Sequence, residues 1–284
     1  MVDTALTIAM NLLSYGSIIV LVVLGLGVIF SMMNIFNFAH GEFLMLGGCT
    51  AYLFNVWGLP VWLGIVAAPF VVGIVGLVLE RAIIHRFYGA PIVALLGTYA
   101  IGVIIRETAR GLIGATYVPE PLIGFFTVGD LNISKWRAVV FVVTILAVAG
   151  SYMLLTRTSF GLRVRASLEN PNLARASGIS TSQIYAATFA FGAALAGLAG
   201  ALMVPLFGLH ADMGVPFLIQ GFLAVMLGGI GTFEGPVLGA AIVGLMRAGL
   251  PHIVNPVLAD VLVFVIVIAI VKLKPAGLFS VRRP

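Results

Sequence analysis

Long apolar runs separated by short polar breaks fill the chain, and their lengths predict its elements. A spanning helix needs about 20 apolar residues. Residues 6–30 carry no charge and predict a first span. A polar break with Ser31, Asn34, Asn37, His40 and Glu42 follows, and residues 43–79 are again free of charge. That stretch is too long for one crossing. Trp57-Gly58-Leu59-Pro60 divides it, which predicts two short crossings joined at a membrane interface. Residues 92–105 are apolar but short, and read as a half-helix or marginal span. Residues 111–136 read as the longest loop, 139–155 as a span, and 156–181 as the most polar stretch. Apolar runs at 184–207, 215–227, 237–250 and 257–271 complete the pattern. The expectation is an all-α, polytopic integral membrane protein with about 8–9 transmembrane helices, some short or discontinuous. Residues 1–284 form a single transmembrane domain in this reading.

Composition removes the alternatives. Apolar residues make up 61% of the chain and charged residues 9%, with a mean hydropathy of +1.18. A soluble domain needs far more charge to cover its surface, and a disordered chain or coiled coil needs more still. The net charge of +5 comes from basic residues that sit mostly in short loops. They mark topology rather than a nucleic-acid surface. The basic segments 81–86 and 157–175 and the tail, with Lys272, Lys274, Arg282 and Arg283, are expected in the cytoplasm, which puts the C-terminus there. No Lys or Arg precedes Arg81, so charge leaves the N-terminus unoriented. The N-terminus has no basic segment of the kind that opens a cleavable signal peptide. Cys49 is the single cysteine and the four histidines are scattered, so neither a disulfide framework nor a metal site is expected.

Three polar breaks carry the candidate chemistry. The first is Asn37-Phe38-Ala39-His40-Gly41-Glu42. Lipid cannot satisfy the backbone groups of such a break, so it either faces protein and a water-filled path or is a loop at the surface. In the surface-loop reading Asn37 caps a helix and Glu42 faces its positive end. The second break, with Gly228, Gly229, Gly231 and Glu234, resembles the first in layout. Each places a Glu beside a Gly, and a further Gly five residues on, Gly47 and Gly239. This is the pattern an internal repeat leaves. The third is 156–181, where Asn170 is placed to cap a short helix over 171–177, with Pro171 in its first turn and Gly178 just past its end. Ser180 and Gln183 have the spacing of a capping box for the next helix. A short loop tied down in this way is a structured knob suited to touching a partner. Small residues at four-residue spacing (Gly192, Ala196, Gly200; Ala240, Gly244, Ala248) predict close helix packing. Arg106, Glu107 and Arg110 read as a helix-end charge group. The chain has no phosphate-binding Gly-x-x-x-x-Gly-Lys loop, no His-Glu-x-x-His and no Gly-x-Ser-x-Gly, so no catalytic residues are proposed.

These motifs resemble a known family. Asn37–Glu42 with Met45-Leu46-Gly47, the loop residues Gly161, Arg165-Ala166, Asn170-Pro171, Ala174 and Gly178-Ile179, the run 188–197, Gly228-Gly229-Ile230-Gly231-Thr232 and the tail Lys274-Pro275-Ala276-Gly277-Leu278-Phe279 occur in the order seen in branched-chain amino acid ABC transporter permeases. The chain is most similar to the smaller, H-type permease subunit. The resemblance implies an inner-membrane importer subunit that pairs with a second, paralogous permease. It also implies two ATP-binding cassette subunits that hold the ATP and magnesium, and a periplasmic solute-binding protein. The chain itself is then expected to bind no cofactor or metal. Residues 156–181 become the cytoplasmic coupling region, with Gly161, Arg163, Arg165, Asn170, Pro171, Ala174, Arg175 and Gly178 at the ATPases. Asn37, His40, Gly41, Glu42, Gly228, Gly229, Gly231 and Glu234 become candidates for lining the substrate path. The same family serves urea, short amides and other amino acids, and these stay open. A stand-alone ion-coupled transporter, drawing on Glu42, Glu234 or Asp260, is the alternative of another class.

Overall fold

The computed structural model describes residues 2–33, 36–114, 116–117, 124–128, 131–229 and 232–279. Helices dominate them. Six helices are long and apolar enough to cross a membrane among the described residues. In the numbering used here they are α1 (Val2–Met33), α3 (Val61–Ala82), α4 (Pro91–Ile113), α5 (Trp136–Arg157), α8 (Thr181–Phe207) and α11 (Pro256–Leu273). Three shorter helices lie between them, α2 (His40–Val56), α9 (Gly214–Gly228) and α10 (Glu234–Gly249). The polytopic all-α architecture read from the hydropathy pattern is therefore what the chain adopts, and α6 (Ser159–Glu169) and α7 (Pro171–Ala176) form a helical protrusion.

α8 is the central helix, and its small residues explain why. Gly200 lies so close to Leu44 of α2 that a Cβ would collide with the Leu44 carbonyl. Gly192 is pressed in the same way against Gly25 and Ile29 of α1, and Gly197 against Ala68 and Val72 of α3. Three helices thus reach the α8 backbone through its small positions, as small-xxx-small stripes allow. The second stripe works likewise, since Gly244 of α10 meets Gly16 of α1. These stripes pack inside the chain. α1 runs antiparallel to α10, with Gly16 at Gly244 and Gly27 at Pro236. Tyr15 of α1 touches Phe207 at the end of α8, which puts the N-terminal part of α1 opposite the α6–α7 protrusion.

Four local expectations change. The segment read as a half-helix over 92–105 is a 23-residue helix, α4, about 34 Å long. It continues through Arg106, Glu107 and Arg110 because each of these charges finds a partner. Residues 111–136 are not all loop. Two short strands, β1 (Phe125–Val128) and β2 (Leu131–Ser134), pair antiparallel with Phe125 opposite Ser134. The polar stretch after α5 contains α6 as well as the short helix, and Thr158 caps it by accepting from Gly161 N–H. Ser180 occupies the N-cap position of α8 but makes no side-chain cap, so the capping box is not formed. The Trp57–Pro60 break, by contrast, divides α2 from α3 as its composition predicts, with Gly58 at φ +71°.

Substituting Gly200 by leucine should force α2 away from α8. The expected outcome is loss of monodisperse protein in detergent size-exclusion chromatography, whereas Gly150→Leu, at a position with open space around it, should leave the profile unchanged.

Candidate functional site

The first polar break is buried rather than laid on the surface. Asn37, His40 and Glu42 are 0%, 0% and 4% exposed. Asn37 does not cap α2, as the surface-loop reading supposed. Its Oδ1 accepts from Ala39 N–H at 3.0 Å, and Ala39 takes the cap position with no side-chain bond. The neighbouring helices bind several further groups of the break. Phe38 N–H donates to Thr98 Oγ1 of α4 at 3.0 Å. His40 Nε2 donates to Val22 O of α1 at 3.1 Å, leaving its Nδ1 without a partner. Glu42, in the first turn of α2, pairs with Arg106 of α4 at 3.4 Å.

α4 holds the break through a single stripe. Thr98, Gly102, Arg106 and Arg110 recur every four residues and so lie on one side of the helix. Thr98 accepts from Phe38, and Gly102 leaves room for Glu42 Oε2. Arg106 lies 3.9 Å from Asp212 as well as 3.4 Å from Glu42. Arg110 binds both oxygens of Asp212 and both of Glu107 at 2.7 Å. The five charges therefore form a ladder from an exposed end (Arg110, Glu107, Asp212) to a buried end (Glu42). The helix-end pairing of Glu107 with Arg110 is present, but it is one part of a larger network. Asp212 is the residue that sequence reasoning missed. It lies in the α8–α9 connection, which is fixed by mutual backbone bonds between Tyr117 and Leu209. Nothing in its local sequence reveals this.

Buried polar atoms without a partner concentrate here. Among the described residues such atoms occur on Ser31, Asn37, His40, Glu42 and Ser167, and the first four fall within one short segment. Buried polar groups are normally paired, and an unpaired one costs about 1–3 kcal/mol. A cluster of this kind marks a place where polar groups are kept for something other than packing.

The second break lies elsewhere. Gly228 ends α9, Gly229 has φ +95°, and Gly231 falls outside the described residues. The tail covers this turn: Leu278 N–H donates to Leu227 O at 2.8 Å and Phe279 N–H to Gly228 O at 3.0 Å. A Cβ on Gly277 would collide with Gly229, so both glycines serve the close approach of tail and turn. Glu234 starts α10 and is exposed, unlike Glu42. The two glutamates share their position in a first turn but not their surroundings.

The third break folds as its caps predict. Asn170 Oδ1 accepts from Leu173 N–H at 3.0 Å, Pro171 opens α7, and Gly178 follows at φ +81°. Gly161 is buried against the end of α5, where a side chain would strike Leu155. Arg165 bends back to donate to Leu155 O. Ala174 is buried, whereas Arg163, Asn170, Pro171, Arg175 and Gly178 are exposed. Leu162 and Leu173, 62% and 64% exposed, present apolar surface on the same protrusion and were not singled out by motif. Tyr185 of α8 ties the base down by donating to Ser167 O at 3.0 Å, and its ring meets that of Tyr88 edge to face at 5.5 Å. Tyr88 in turn donates to the buried Glu80. Burial and the adjacent Glu80 push the Tyr88 phenol well above its ordinary range, which keeps it a donor.

Comparison with known proteins is consistent along the chain. The family described as branched-chain amino acid transport system, permease component, matches residues 8–271. BraD of Pseudomonas aeruginosa, a high-affinity branched-chain amino acid transport system permease protein, is 28% identical over 95% of this chain and 94% of its own length. LivH of Escherichia coli K12, a permease protein of the same description, is 27% identical over 95% and 94%. LivH of Methanocaldococcus jannaschii, a branched-chain amino acid transport permease protein, is 30% identical over 94% and 90%.

Arg106→Met should destabilise the protein by about 3–5 kcal/mol, because Glu42 is left buried without its counter-charge, whereas Glu42→Gln should cost less, since Arg106 keeps Asp212 at 3.9 Å. Glu42→Gln with Arg106→Met together should cost less than the sum of the two single changes. Thermal unfolding in detergent, arranged as a double-mutant cycle, measures this.

Proposed function

This chain belongs to the branched-chain amino acid transport permease family, and from that membership we propose that it is the membrane-spanning subunit of an ATP-driven importer. Its cargo is a branched-chain amino acid handed over by a periplasmic solute-binding protein. It works beside a second, paralogous permease and is driven by two ATP-binding cassette subunits, which hold the ATP and magnesium. The chain contributes no cofactor and no catalytic residue of its own. The observation that carries the reading is the near-complete span of the family match, residues 8–271.

Residues 1–284 act as one transmembrane domain, with 156–181 as its cytoplasmic coupling region. The basic segments 81–86 and 157–175 and the C-terminal tail then share the cytoplasmic face, and the N-terminal part of α1 lies on the outer side. The exposed Arg163, Asn170, Pro171, Arg175 and Gly178 meet the ATPases, with Leu162 and Leu173 as apolar anchors. Gly161, Arg165 and Ala174 hold the protrusion in shape from beneath. Asn37, His40, Gly41 and Glu42 line the path at its buried constriction. Gly228, Gly229, Gly231 and Glu234 form its cytoplasmic end.

In this mechanism ATP binding draws the two ATPases together and displaces α6 and α7. A short turn at residues 177–180 joins α7 to α8, the helix against which α1, α2 and α3 pack. Displacement of α8 therefore reaches the α1–α2 break directly. Arg106 has two carboxylates within 4 Å on different elements, Glu42 on α2 and Asp212 in the α8–α9 connection. A change in their separation moves the guanidinium between them, which opens or closes the constriction without leaving a charge unpaired.

Leucine uptake into proteoliposomes containing all the subunits tests the reading. Uptake should require the ATPases and persist when the proton gradient is collapsed; the reverse result would favour an ion-coupled carrier. Leu173→Asp should abolish co-purification of the ATPases and ATP-dependent uptake together. Retained attachment in that variant would remove α7 from the docking role.

A further inference from the structure

The polar residues of the α1–α2 break alternate with large rings, and Asn37 stands between Phe36 and Phe38. These rings belong to a connected row. Phe36 meets Phe30, near the end of α1, with centroids 4.1 Å apart, and meets Phe222 of α9 at 5.6 Å. Phe38 meets Phe222 at 4.9 Å. Phe30 is buried, whereas Phe36, Phe38 and Phe222 are half-buried.

Two helices fix this row relative to Glu42. On α4, Thr98 holds both loop phenylalanines by their backbone. Its Oγ1 accepts from Phe38 N–H at 3.0 Å and lies 3.4 Å from Phe36 O. Arg106, which pairs with Glu42, stands two turns on, about 12 Å further along α4. On α9, Gly214 is pressed against Gly41, the neighbour of Glu42, and Phe222 is again about 12 Å further along. Gly221 lets this part of α9 approach Leu26 of α1 closely. α4 begins just after Tyr88, whose ring meets Tyr185 at the base of the protrusion, so the row lies on the protrusion's side of Glu42. A line drawn toward the protrusion therefore meets the exposed Asp212 first, then Arg106 and Glu42, and then the rings. Charged groups hold water strongly, so the first part of that line does not bar a small polar solute. An apolar constriction does, because water does not fill it.

We infer that Phe36, Phe38 and Phe222 form the dry seal of the substrate path, on the protrusion's side of the Glu42–Arg106 pair. The inference rests on the reading of Asn37–Glu42 as part of that path and adds the residues that stop leakage through it. The same rings offer an apolar wall to an aliphatic side chain as the row parts. A solute without such a side chain gains nothing by displacing them.

Leakage of preloaded tritiated glycine, a small zwitterion without an apolar side chain, tests the seal. The full chain is reconstituted in liposomes with its partner permease and the ATPases, and efflux is followed without ATP. Phe222→Val and Phe222→Thr remove equal volume, so any loss of packing is shared, and they differ in one hydroxyl. The threonine variant should release glycine about tenfold faster than the valine variant, because the hydroxyl wets the constriction. Phe70→Ala, at a ring 69% exposed on α3, should stay as tight as the wild type. Detergent size-exclusion chromatography checks assembly, and the same valine and threonine pair at Phe36 repeats the comparison if a variant at 222 does not assemble. Equal leakage from the valine and threonine variants, leakage from neither, or equal leakage from Phe70→Ala would each overturn the proposal. Failure of the wild-type assembly to import leucine, with the glycine difference intact, would instead count against the importer reading and leave the seal standing.

Discussion

Hydrocarbon offers no hydrogen bonds, and that constraint organises this protein. Each place where a helix breaks or a charge enters the apolar region must be answered by another part of the chain. The α1–α2 break is answered by α1 through Val22, by α4 through Thr98 and Arg106, and by the α8–α9 connection through Asp212. The turn after α9 is answered by the C-terminal tail, whose backbone binds Leu227 and Gly228. In each case residues far apart in sequence are joined because lipid could not do the work. The small residues on α8 make this possible by letting the surrounding helices approach its backbone closely.

Much of this was legible in the sequence where the signal is local. Apolar run length gave the crossings, and Asn170-Pro171 with Gly178 gave both ends of α7, because a cap is decided within four residues. The four-residue spacing of Gly192, Ala196 and Gly200 marked the packing face of α8. What could not be read was tertiary compensation. α4 looked too short because Arg106, Glu107 and Arg110 interrupt its apolar run, and only the positions of Glu42 and Asp212 show why the helix continues. Asp212 carries no motif and stands 170 residues from Glu42, so its place in the ladder is a property of the fold. α6 was missed for the opposite reason. It is too polar to be recognised as part of a membrane protein's helical pattern, although Thr158 supplies an ordinary cap.

The resemblance between the two Glu-Gly breaks illustrates how far a sequence pattern reaches. Both glutamates open a helix, and both following glycines are pressed against a neighbouring backbone: Gly47 meets Gly197 of α8 and Gly239 meets Ala224 of α9. Similar local geometry has been put to different uses. Glu42 is enclosed and ion-paired, whereas Glu234 is exposed beside an apolar groove between α1, α5 and α10. Local sequence repeats the helix start, and only the surrounding helices decide whether the carboxylate is buried.

α4 ties these parts into one argument about motion. Its outward face is apolar and exposed, with Ile92, Leu96, Ile104 and Leu112 all open. It is held to the rest of the chain chiefly by its polar stripe and by Gly97, which seats Phe87 of the preceding turn. A helix fixed by a few directional contacts, rather than by a wide packed face, can slide or tilt when those contacts exchange partners. The first turn of α4 follows Tyr88, which meets Tyr185 at the base of the protrusion, and its other end carries Arg106 and Arg110. Under the proposed coupling role of the protrusion, α4 would link its base to the buried carboxylate of Glu42. α8 provides the second such connection through its packing with α1 and α2. Under the proposed mechanism the two helices would share the displacement that reaches the break, with the charges on α4 exchanging partners as α8 shifts.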